Sequence, residues 1–278
     1  MPDLSGKTAL VTGASSGIGA AMARQLAAWK CGLVLTARRA DRLEALAAEV
    51  KSAHGVAARV LPADLSDRGA PLRLYEALRQ HGTPMDIVIN NAGFGTWEPF
   101  AQMTWERNAE LLQLNVVSLV ELCHRFLPDL LARPHRAHIL NVASTAAFQP
   151  IPLFANYGAS KAYVLTFSEA LAAELKETNV RVTCVCPGGT TSEFSQVAGQ
   201  TLNAAARSAM MSAERCAAIS LRAMLRGKRV IVPGALNKVG AFSTRLVPRR
   251  TAGAIGQRLV GPAATPSLPA PGTTAKGG

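Results

Sequence analysis

Thr12-Gly13-Ala14-Ser15-Ser16-Gly17-Ile18-Gly19 is the stretch that decides the fold, and it continues directly from the apolar run Thr8 to Thr12. A helical pattern follows at once, because Ile18, Met22 and Leu26 recur at a spacing of four. Glycines suit such a strand-turn-helix junction, since a Cβ would obstruct both the tight turn and the close approach of a ligand. The backbone amides at the positive end of the helix then predict a site for a pyrophosphate.

Short apolar runs alternate with helical patterns along the rest of the chain, which is typical of parallel βαβ units. The runs contain few charges, as expected for a sheet covered on both faces. The sequence therefore predicts an α/β fold of the Rossmann type, a doubly wound parallel seven-stranded sheet flanked by helices on both faces. The predicted strands are Thr8 to Thr12, Leu33 to Thr36, Ala57 to Leu61, Ile87 to Asn90, His138 to Val142, Val180 to Val185 and Val230 to Val232.

Two long helical patterns, Trp105 to Leu131 and Asn156 to Lys176, carry apolar residues around much of their circumference. Helices of this kind can pair with copies of themselves, so we expect a homodimer or a homotetramer. The 278 residues, 49% of them hydrophobic, suffice for a single domain, which we predict over 1–261. Beyond it the composition changes to Pro, Ala, Thr and Gly, which predicts a disordered tail over 262–278.

The cysteines and the start of the chain bear on the compartment. The cysteines number five and are scattered, which favours buried thiols over disulfides. Cys184 and Cys186 would face one side of a strand, and metal binding is the less favoured interpretation, so no metal site is predicted. The first strand begins close to Met1 and no run of 18 apolar residues exists, so we expect a cytoplasmic protein, with peripheral membrane association as the alternative.

The net charge of +12 is concentrated at one end of the chain. Residues 1–214 carry 19 basic and 18 acidic side chains, whereas 215–278 carry 11 basic side chains and no acidic one. The basic segment 215–261 would suit a membrane surface with anionic lipid, an acidic carrier or a phosphorylated substrate, and a solvated basic surface is the favoured alternative. Nucleic acid is not an expected partner, because the segment has no recognised motif and no aromatic residues at stacking positions.

Tyr157 and Lys161 lie four residues apart in the second long helical pattern, and Ser144 precedes Tyr157 by 13 residues. A pair at this spacing projects from one helix face, so a phenol and an ammonium can share a pocket with the ligand of the glycine turn. Reduction of a carbonyl needs a hydride donor on one side and a proton donor at the oxygen. The combination predicts hydride transfer.

The order of these motifs resembles that of the short-chain dehydrogenase/reductase family, whose own glycine turn has the spacing T-G-x-x-x-G-x-G. The resemblance covers about residues 5–235 and implies a nicotinamide dinucleotide cofactor. Its further matches are Asn90-Asn91-Ala92-Gly93, Asn115, Ser144, Tyr157-x-x-x-Lys161 and Pro187-Gly188.

The glycine turn and the family resemblance together give a set of expected cofactor-binding residues. In the turn they are Gly13, Ser15, Ser16, Gly17, Ile18 and Gly19. The resemblance implies Asp64 and Leu65 at the adenine, Asn90, Ala92 and Gly93 along the adenosine and its ribose, Pro187, Gly188 and Thr190 at the nicotinamide amide, and Tyr157 and Lys161 at the nicotinamide ribose.

The end of the second strand bears on the choice of dinucleotide. Relatives that select NAD place an acid there, whereas this chain has Ala37 followed by Arg38 and Arg39. A guanidinium can clamp a 2′-phosphate by charge-assisted hydrogen bonds, and the Ser15 hydroxyl could reach the same phosphate. We therefore predict NADP(H) as the cofactor.

Tyr157 is the expected proton donor of the reaction. Its pKa, near 10 when unperturbed, would have to fall by about three units to act near neutrality, and we expect the Lys161 ammonium to lower it. Ser144 would donate a hydrogen bond to the substrate oxygen. By resemblance, Asn115 would hold a water molecule that connects Lys161 to solvent.

The substrate is expected to be largely apolar, because five aromatic residues follow strand ends where α/β proteins bind ligands. We expect an NADPH-dependent reductase of a lipophilic ketone, aldehyde or 3-oxoacyl substrate, acting on the matching alcohol in reverse. The alternative is a catalytically silent NADPH-binding sensor or scaffold. The stretch Ser192 to Met211 resembles the family's mobile substrate lid. The five aromatic residues are Phe94, Trp97, Phe148, Phe154 and Phe194.

Overall fold

Residues 1–200 and 210–244, together with 246 and 248, are described by the computed structural model. Seven parallel strands form one sheet in the order β3-β2-β1-β4-β5-β6-β9. Every predicted strand is present, and each bound lies within about one residue of the expected one. The strands of this sheet are β1 (Thr8–Thr12), β2 (Gly32–Thr36), β3 (Ala58–Val60), β4 (Ile87–Asn90), β5 (Ala137–Val142), β6 (Val180–Val185) and β9 (Val230–Ile231).

Helices cover both faces of the sheet. The long helix predicted from Trp105 is not regular, because a π-helical segment at Gln113–Ser118 separates α4 from α5. The helices are α1 (Gly17–Ala28), α2 (Ala40–His54), α3 (Ala70–Gln80), α4 (Trp105–Leu112), α5 (Leu119–Leu131), α6 (Ala155–Glu174), α7 (Phe194–Val197), α8 (Ala213–Leu225) and α9 (Ala235–Ser243).

The core has two layers because side chains alternate between the faces of each strand. In β1, Ala9 and Val11 pack with the apolar residues of α1, α2 and α8. Leu10, between them, faces the opposite side and packs with α3, α5 and α6. A sheet buried on both faces explains why the strand sequences are continuous apolar runs.

Strand order reverses at β1, since β2 lies on one side of it and β4 on the other. A crevice therefore opens at the carboxyl ends of these two neighbouring strands, which is where ligands bind in open parallel sheets. The turns that follow β1, β2, β4, β5 and β6 all meet at this edge. They carry the residues singled out by the sequence.

Several predictions concern segments at the end of the chain. A small parallel pair not foreseen from sequence, β7 (Thr190–Thr191) and β8 (Met211–Ser212), flanks the expected lid, of which 201–209 lie outside the described residues. The tail predicted over 262–278 also lies outside them. Within the described part of the chain, no helix combines the length and apolar character needed to cross a membrane, and no three metal-binding side chains cluster.

Candidate active site

The turn after β1 forms a glycine cradle. Gly13 and Gly17 have positive φ angles of 65° and 54°, which residues other than glycine rarely adopt. A Cβ on Gly19 would lie 2.4 Å from the carbonyl oxygen of Gly13, so α1 can begin this close to the turn only without one. This close-packed turn at a helix N-terminus fits the pyrophosphate of a dinucleotide, because its glycines let the anion approach the backbone amides.

Asn91 fixes the cradle, a role that sequence reasoning did not assign to it. Its side-chain amide donates to the carbonyl oxygens of Thr12 at 2.9 Å and Gly13 at 3.3 Å. The Thr12 hydroxyl in turn accepts from the backbone amides of Asn91 and Ala92, each at 2.9 Å. The Asn-Asn-Ala-Gly motif after β4 was the available signal, and the structure shows that its second member holds the turn after β1.

The two arginines after β2 are placed differently. Arg39 donates to the Ser15 hydroxyl at 3.1 Å and to the Ser16 hydroxyl at 3.0 Å, so its guanidinium lies on the glycine turn. Arg38 points elsewhere and lies 3.9 Å from one carboxylate oxygen of Asp64 and 3.9 Å from one of Glu110. Arg39 is therefore the better placed of the pair to meet a phosphate beside Ser15.

Only some of the residues expected at the adenosine have side chains that face the crevice. The Asp64 carboxylate is exposed and accepts from the backbone amide and hydroxyl of Ser66 at 2.9 and 2.6 Å. Leu65 is buried in the core. The Asn90 side chain points into the interior and donates to Asn141 at 2.9 Å, so only the backbone of Asn90 could face a ligand.

The expected catalytic residues meet beyond β5. Ser144 begins the 3-10 segment Thr145–Phe148, and its hydroxyl accepts from the Ala146 amide at 3.1 Å. Tyr157 and Lys161 lie in α6, with exposed fractions of 7% and 5%. The Lys161 ammonium is 5.8 Å from the centroid of the Tyr157 ring, as the four-residue spacing predicts.

Burial decides the pKa values in this centre. Burial raises the pKa of Tyr157 to about 12, and the neighbouring Ser144 side chain acts in the opposite direction. Burial also lowers the pKa of Lys161 to about 8. The expectation that Lys161 lowers the pKa of Tyr157 is therefore wrong for the protein groups alone. Desolvation prevails, and the ammonium is turned toward the carbonyl oxygen of Val142, to which it donates at 2.9 Å.

Asn115 lies in the π-helical segment and is fully buried. Its side chain accepts from the Phe94 amide at 3.1 Å and donates to the Phe94 carbonyl at 2.9 Å and the Ser160 hydroxyl at 3.1 Å. A Cβ on Gly93 would lie 2.8 Å from the Asn115 oxygen and 3.3 Å from the Lys161 nitrogen. Asn115 and Lys161 thus border the same narrow space, which Gly93 keeps free.

Aromatic side chains surround the phenol. Ring centroids of Phe154 and Phe194 lie 5.0 and 5.2 Å from that of Tyr157, and Trp97 meets Phe154 edge to face at 4.6 Å. Phe94 belongs to the same cluster. Phe148 does not belong to this cluster, because its half-buried side chain packs against the core on the α6 side of the sheet.

The segment after β6 lies against the last described helix. The Pro187 carbonyl oxygen accepts from the Thr145 amide at 2.8 Å, which ties this segment to the one that carries Ser144. The Thr190 hydroxyl donates to the Gly188 carbonyl at 3.1 Å. A Cβ on Gly188 would lie 2.4 Å from the Asn237 side chain of α9, a contact that sequence reasoning missed because nothing in the pattern marks Asn237.

The two thiols at the end of β6 lie on the same side of the chain, as expected for residues two apart in a strand. Cys184 and Cys186 face one side, with their sulfur atoms 4.0 Å apart, and both are fully buried. The interpretation as buried thiols is confirmed.

Comparison with known proteins identifies relatives that are dehydrogenases and reductases. The family model described as short chain dehydrogenase matches residues 7–203. The chain is 38% identical over 191 residues to a sulfoacetaldehyde reductase of Chromohalobacter salexigens, covering 67% of this chain and 74% of that protein. It is 37% identical over 195 residues to a serine 3-dehydrogenase of Agrobacterium fabrum, covering 68% and 74%.

Solved structures of similar proteins share the fold over most of the chain. A short-chain dehydrogenase from Sphingobium yanoikuyae in complex with NADPH has a TM-score of 0.77 and 32% sequence identity, covering 86% of this chain and 93% of that one. A bulky-bulky ketone specific alcohol dehydrogenase from Comamonas testosteroni has a TM-score of 0.73 and 29% identity, covering 86% and 92%.

Proposed function

The chain belongs to the short-chain dehydrogenase family, and on this premise we propose that it is an NADPH-dependent carbonyl reductase. The substrate class is a lipophilic ketone, aldehyde or 3-oxoacyl compound, and the matching alcohol is the substrate in the reverse direction. The observation that carries the proposal is the convergence of Ser144, Tyr157 and Lys161 beside the glycine cradle at the carboxyl edge of the sheet.

The choice of NADPH rests on the turn after β2. Arg39 already lies against the Ser15 and Ser16 hydroxyls, where a 2′-phosphate would receive charge-assisted hydrogen bonds from all three side chains. No carboxylate occupies the position after β2 that NAD-selective relatives use for the ribose hydroxyls. The NADPH complex of the Sphingobium yanoikuyae protein is consistent with this choice.

The bound cofactor supplies the hydride, and the chain supplies the proton and the surroundings of the carbonyl oxygen. Since burial raises the pKa of Tyr157 to about 12, its phenol is protonated at neutral pH and ready to donate. The alkoxide that forms on reduction is a far stronger base than a phenolate, so transfer of the proton from Tyr157 is favourable. Ser144 stabilises the same oxygen by a second hydrogen bond.

Lys161 and Asn115 would return the proton to Tyr157. A lysine whose pKa is about 8 exchanges protons readily near neutrality, and Asn115 lies beside it at Gly93, where by family resemblance it would hold the water molecule that connects Lys161 to solvent. Asn115 also fixes α6, because it donates to Ser160, whose hydroxyl in turn donates to the Tyr157 carbonyl oxygen at 2.7 Å.

The lipophilic substrate class rests on the aromatic cluster. Phe94, Trp97, Phe154 and Phe194 gather around the phenol, and none of them carries a charge. A carbonyl compound bound there would bury apolar surface, which contributes about 25 cal/mol per Å². The specificity of the Comamonas testosteroni relative for bulky ketones is in line with such a pocket.

Several further features belong to the proposal. We expect one domain over 1–261 in the cytoplasm, assembled as a homodimer or homotetramer. The exposed aromatic residues Trp105 of α4 and Tyr163 of α6 support self-association. Contact of the basic segment 215–261 with an anionic membrane surface or an acidic carrier remains a proposal.

A substrate panel with NADPH and NADH tests the function, with wild type compared with Tyr157→Phe. We expect turnover of bulky ketones with NADPH and a loss of about 10²- to 10⁴-fold in kcat for the variant, since only the proton donor is removed. NADPH affinity should stay within about twofold. Tight NADPH binding without turnover of any substrate would favour the silent sensor instead.

A further inference from the structure

Glu193 lies between two arginines at the edge of the glycine turn. One carboxylate oxygen accepts from Arg39 at 2.8 Å and the other from Arg42 at 2.5 Å. These hydrogen bonds, first that from Arg42 and then that from Arg39, lower the pKa of Glu193 to about 2. The carboxylate is therefore ionised at every pH at which the protein would work.

The guanidinium of Arg39 serves two sets of partners at once. It donates to Ser15 and Ser16 on the glycine turn and to Glu193 on the segment after β7. The two arginines thus converge on a single anionic group beside two hydroxyls. A carboxylate and a phosphate are both recognised by guanidinium groups through paired oxygen acceptors, so the same arrangement suits either anion.

The residues on either side of Glu193 contact the rest of the crevice. A Cβ on Gly17 would lie 3.0 Å from the Cβ of Ser192, so the segment passes directly over the start of α1. The Phe194 ring lies 5.2 Å from that of Tyr157. Three consecutive residues therefore contact the cradle, the arginines and the catalytic phenol.

The short helix that begins after Glu193 extends this connection to the substrate pocket. The Val197 amide donates to the Glu193 carbonyl oxygen at 2.9 Å, and the Ala198 carbonyl oxygen accepts from the Trp97 amide at 2.8 Å. A displacement of Glu193 would therefore move groups that line the pocket as well as those at the cradle.

We propose that Glu193 is an intramolecular competitor for the 2′-phosphate: it holds Arg39 and Arg42 until the phosphate replaces it, which frees the segment 192–198 from the cradle. The inference rests on the proposed use of NADPH. It adds Arg42 to Arg39 as a second basic residue at the phosphate and makes Glu193 a specificity-determining residue that weakens NADPH binding without touching the reacting atoms. NADH has no group that competes with the carboxylate for both arginines, so it leaves this contact in place.

Equilibrium binding of NADPH and NADH to wild type and Glu193→Gln provides the first test. We expect NADPH to bind the variant about 3- to 10-fold more tightly, because two partly exposed ion pairs no longer compete with it, while NADH affinity changes less than about twofold. Glu76→Gln, at an exposed glutamate of α3, is the matched control and should change neither affinity. The gain should disappear when Arg42→Gln is added to Glu193→Gln.

An equal ratio of the two affinities in wild type and Glu193→Gln would overturn the competition. If, in addition, Arg39→Gln lowers the affinity for NADPH, the proposed function would stay intact although the competition is wrong. If wild type, Glu193→Gln and Arg39→Gln all fail to bind NADPH, the proposed function itself is wrong, and the competition with it.

Hydrogen exchange of the segment 194–198 tests the release directly. The probes are 2′,5′-ADP, which carries the 2′-phosphate but no nicotinamide, and 5′-AMP, which carries neither. We expect saturating 2′,5′-ADP to speed amide exchange in this segment of wild type and 5′-AMP to leave it unchanged. In Glu193→Gln, exchange should be fast from the outset and unresponsive to either probe. Unchanged exchange in wild type at saturating 2′,5′-ADP would overturn the proposal.

Discussion

The two ends of the crevice differ in how much water reaches their charges. At the nucleotide end, the side chains of Arg38, Arg39 and Glu193 are 64%, 40% and 36% exposed. At the catalytic end, Tyr157 and Lys161 are 7% and 5% exposed and lie among aromatic rings. The same crevice thus offers charges that solvent screens and ionisable groups that solvent hardly reaches.

This difference assigns separate tasks to the two ends. Exposed ion pairs contribute little each, about 0 to 1 kcal/mol, so the arginines can adjust the choice of cofactor without making the fold depend on them. Buried groups shift their pKa values by desolvation, and the shifts at Tyr157 and Lys161 bear directly on proton transfer. Replacement of the arginines should therefore change the choice of cofactor more than it changes the chemical step.

Replacing the buried ammonium should give the largest effect. In Lys161→Met, we expect kcat to fall by about 10²- to 10⁴-fold, because the group that returns the proton to Tyr157 is lost. Lys176→Met, at the exposed end of the same helical pattern, is the control and should retain activity. Steady-state kinetics at saturating NADPH measures both, and comparable activity of the two variants would contradict the difference between the ends.

Replacing each exposed arginine should affect the cofactor alone. We expect Arg39→Gln to weaken NADPH binding by about 10- to 100-fold, since a charge-assisted hydrogen bond contributes about 1.5 to 3 kcal/mol, while NADH binding is unchanged. Arg38→Gln should have a smaller effect, because Arg38 does not contact Ser15 or Ser16. Titration calorimetry with both cofactors measures this. A larger effect at Arg38 would place the 2′-phosphate away from the serines.

The buried lysine should also cost stability. Its pKa of about 8 in the fold lies below the ordinary 10.5, so the unfolded chain binds the extra proton more tightly and burial of Lys161 is most unfavourable below pH 8. The penalty is roughly 3 kcal/mol there and fades as the pH rises from 8 to 10.5.

Lys161→Met should therefore be more stable than wild type at pH 7 by about 1 to 2 kcal/mol, after allowance for the lost hydrogen bond to Val142. The advantage should vanish toward pH 10. Urea unfolding at pH 7 and pH 10 measures it, and a variant less stable than wild type at pH 7 would show that Lys161 is well accommodated in its charged form.

Salt should give the smallest effect and should act at one end only. Raising ionic strength from about 0.05 to 0.5 M screens exposed charges, so we expect the Kd for NADPH to rise by about three- to fivefold and that for NADH to change less. The value of kcat at saturating cofactor should stay within about twofold. A salt effect on kcat as large as that on the Kd would mean that water reaches the catalytic end.

The sequence predicted the sheet closely because its strands are short apolar runs bounded by turns, as at Ile87–Asn90. It also predicted that Tyr157 and Lys161 share a pocket, since helix geometry fixes that relation. It failed for the pKa of Tyr157 because desolvation depends on neighbours such as Phe154 and Phe194, which come from distant segments. Relations between residues close in sequence can be predicted from the sequence, whereas burial by distant segments cannot.

Contacts between distant segments account for the other differences. Arg42 and Glu193 are separated by 151 positions, and neither belongs to a recognisable motif. The division of labour between Arg38 and Arg39 depends on the direction of each side chain at the end of β2. Phe148 was assigned to the pocket because it follows a strand end, yet it lies in a 3-10 turn and packs against the core on the α6 side of the sheet rather than with the aromatic cluster.

The π-helical turn at Gln113–Ser118 has a consequence for insertions and deletions. Such a turn holds one residue more than an α-helical turn would, at some loss of backbone regularity. Excising a single residue, for example the half-exposed Val117, would let the turn close into an uninterrupted α-helix while α4 and α5 keep nearly their present orientation. The shortened helix would be the more regular one, but Asn115 would lose the widened turn that directs its side chain to Phe94 and Ser160.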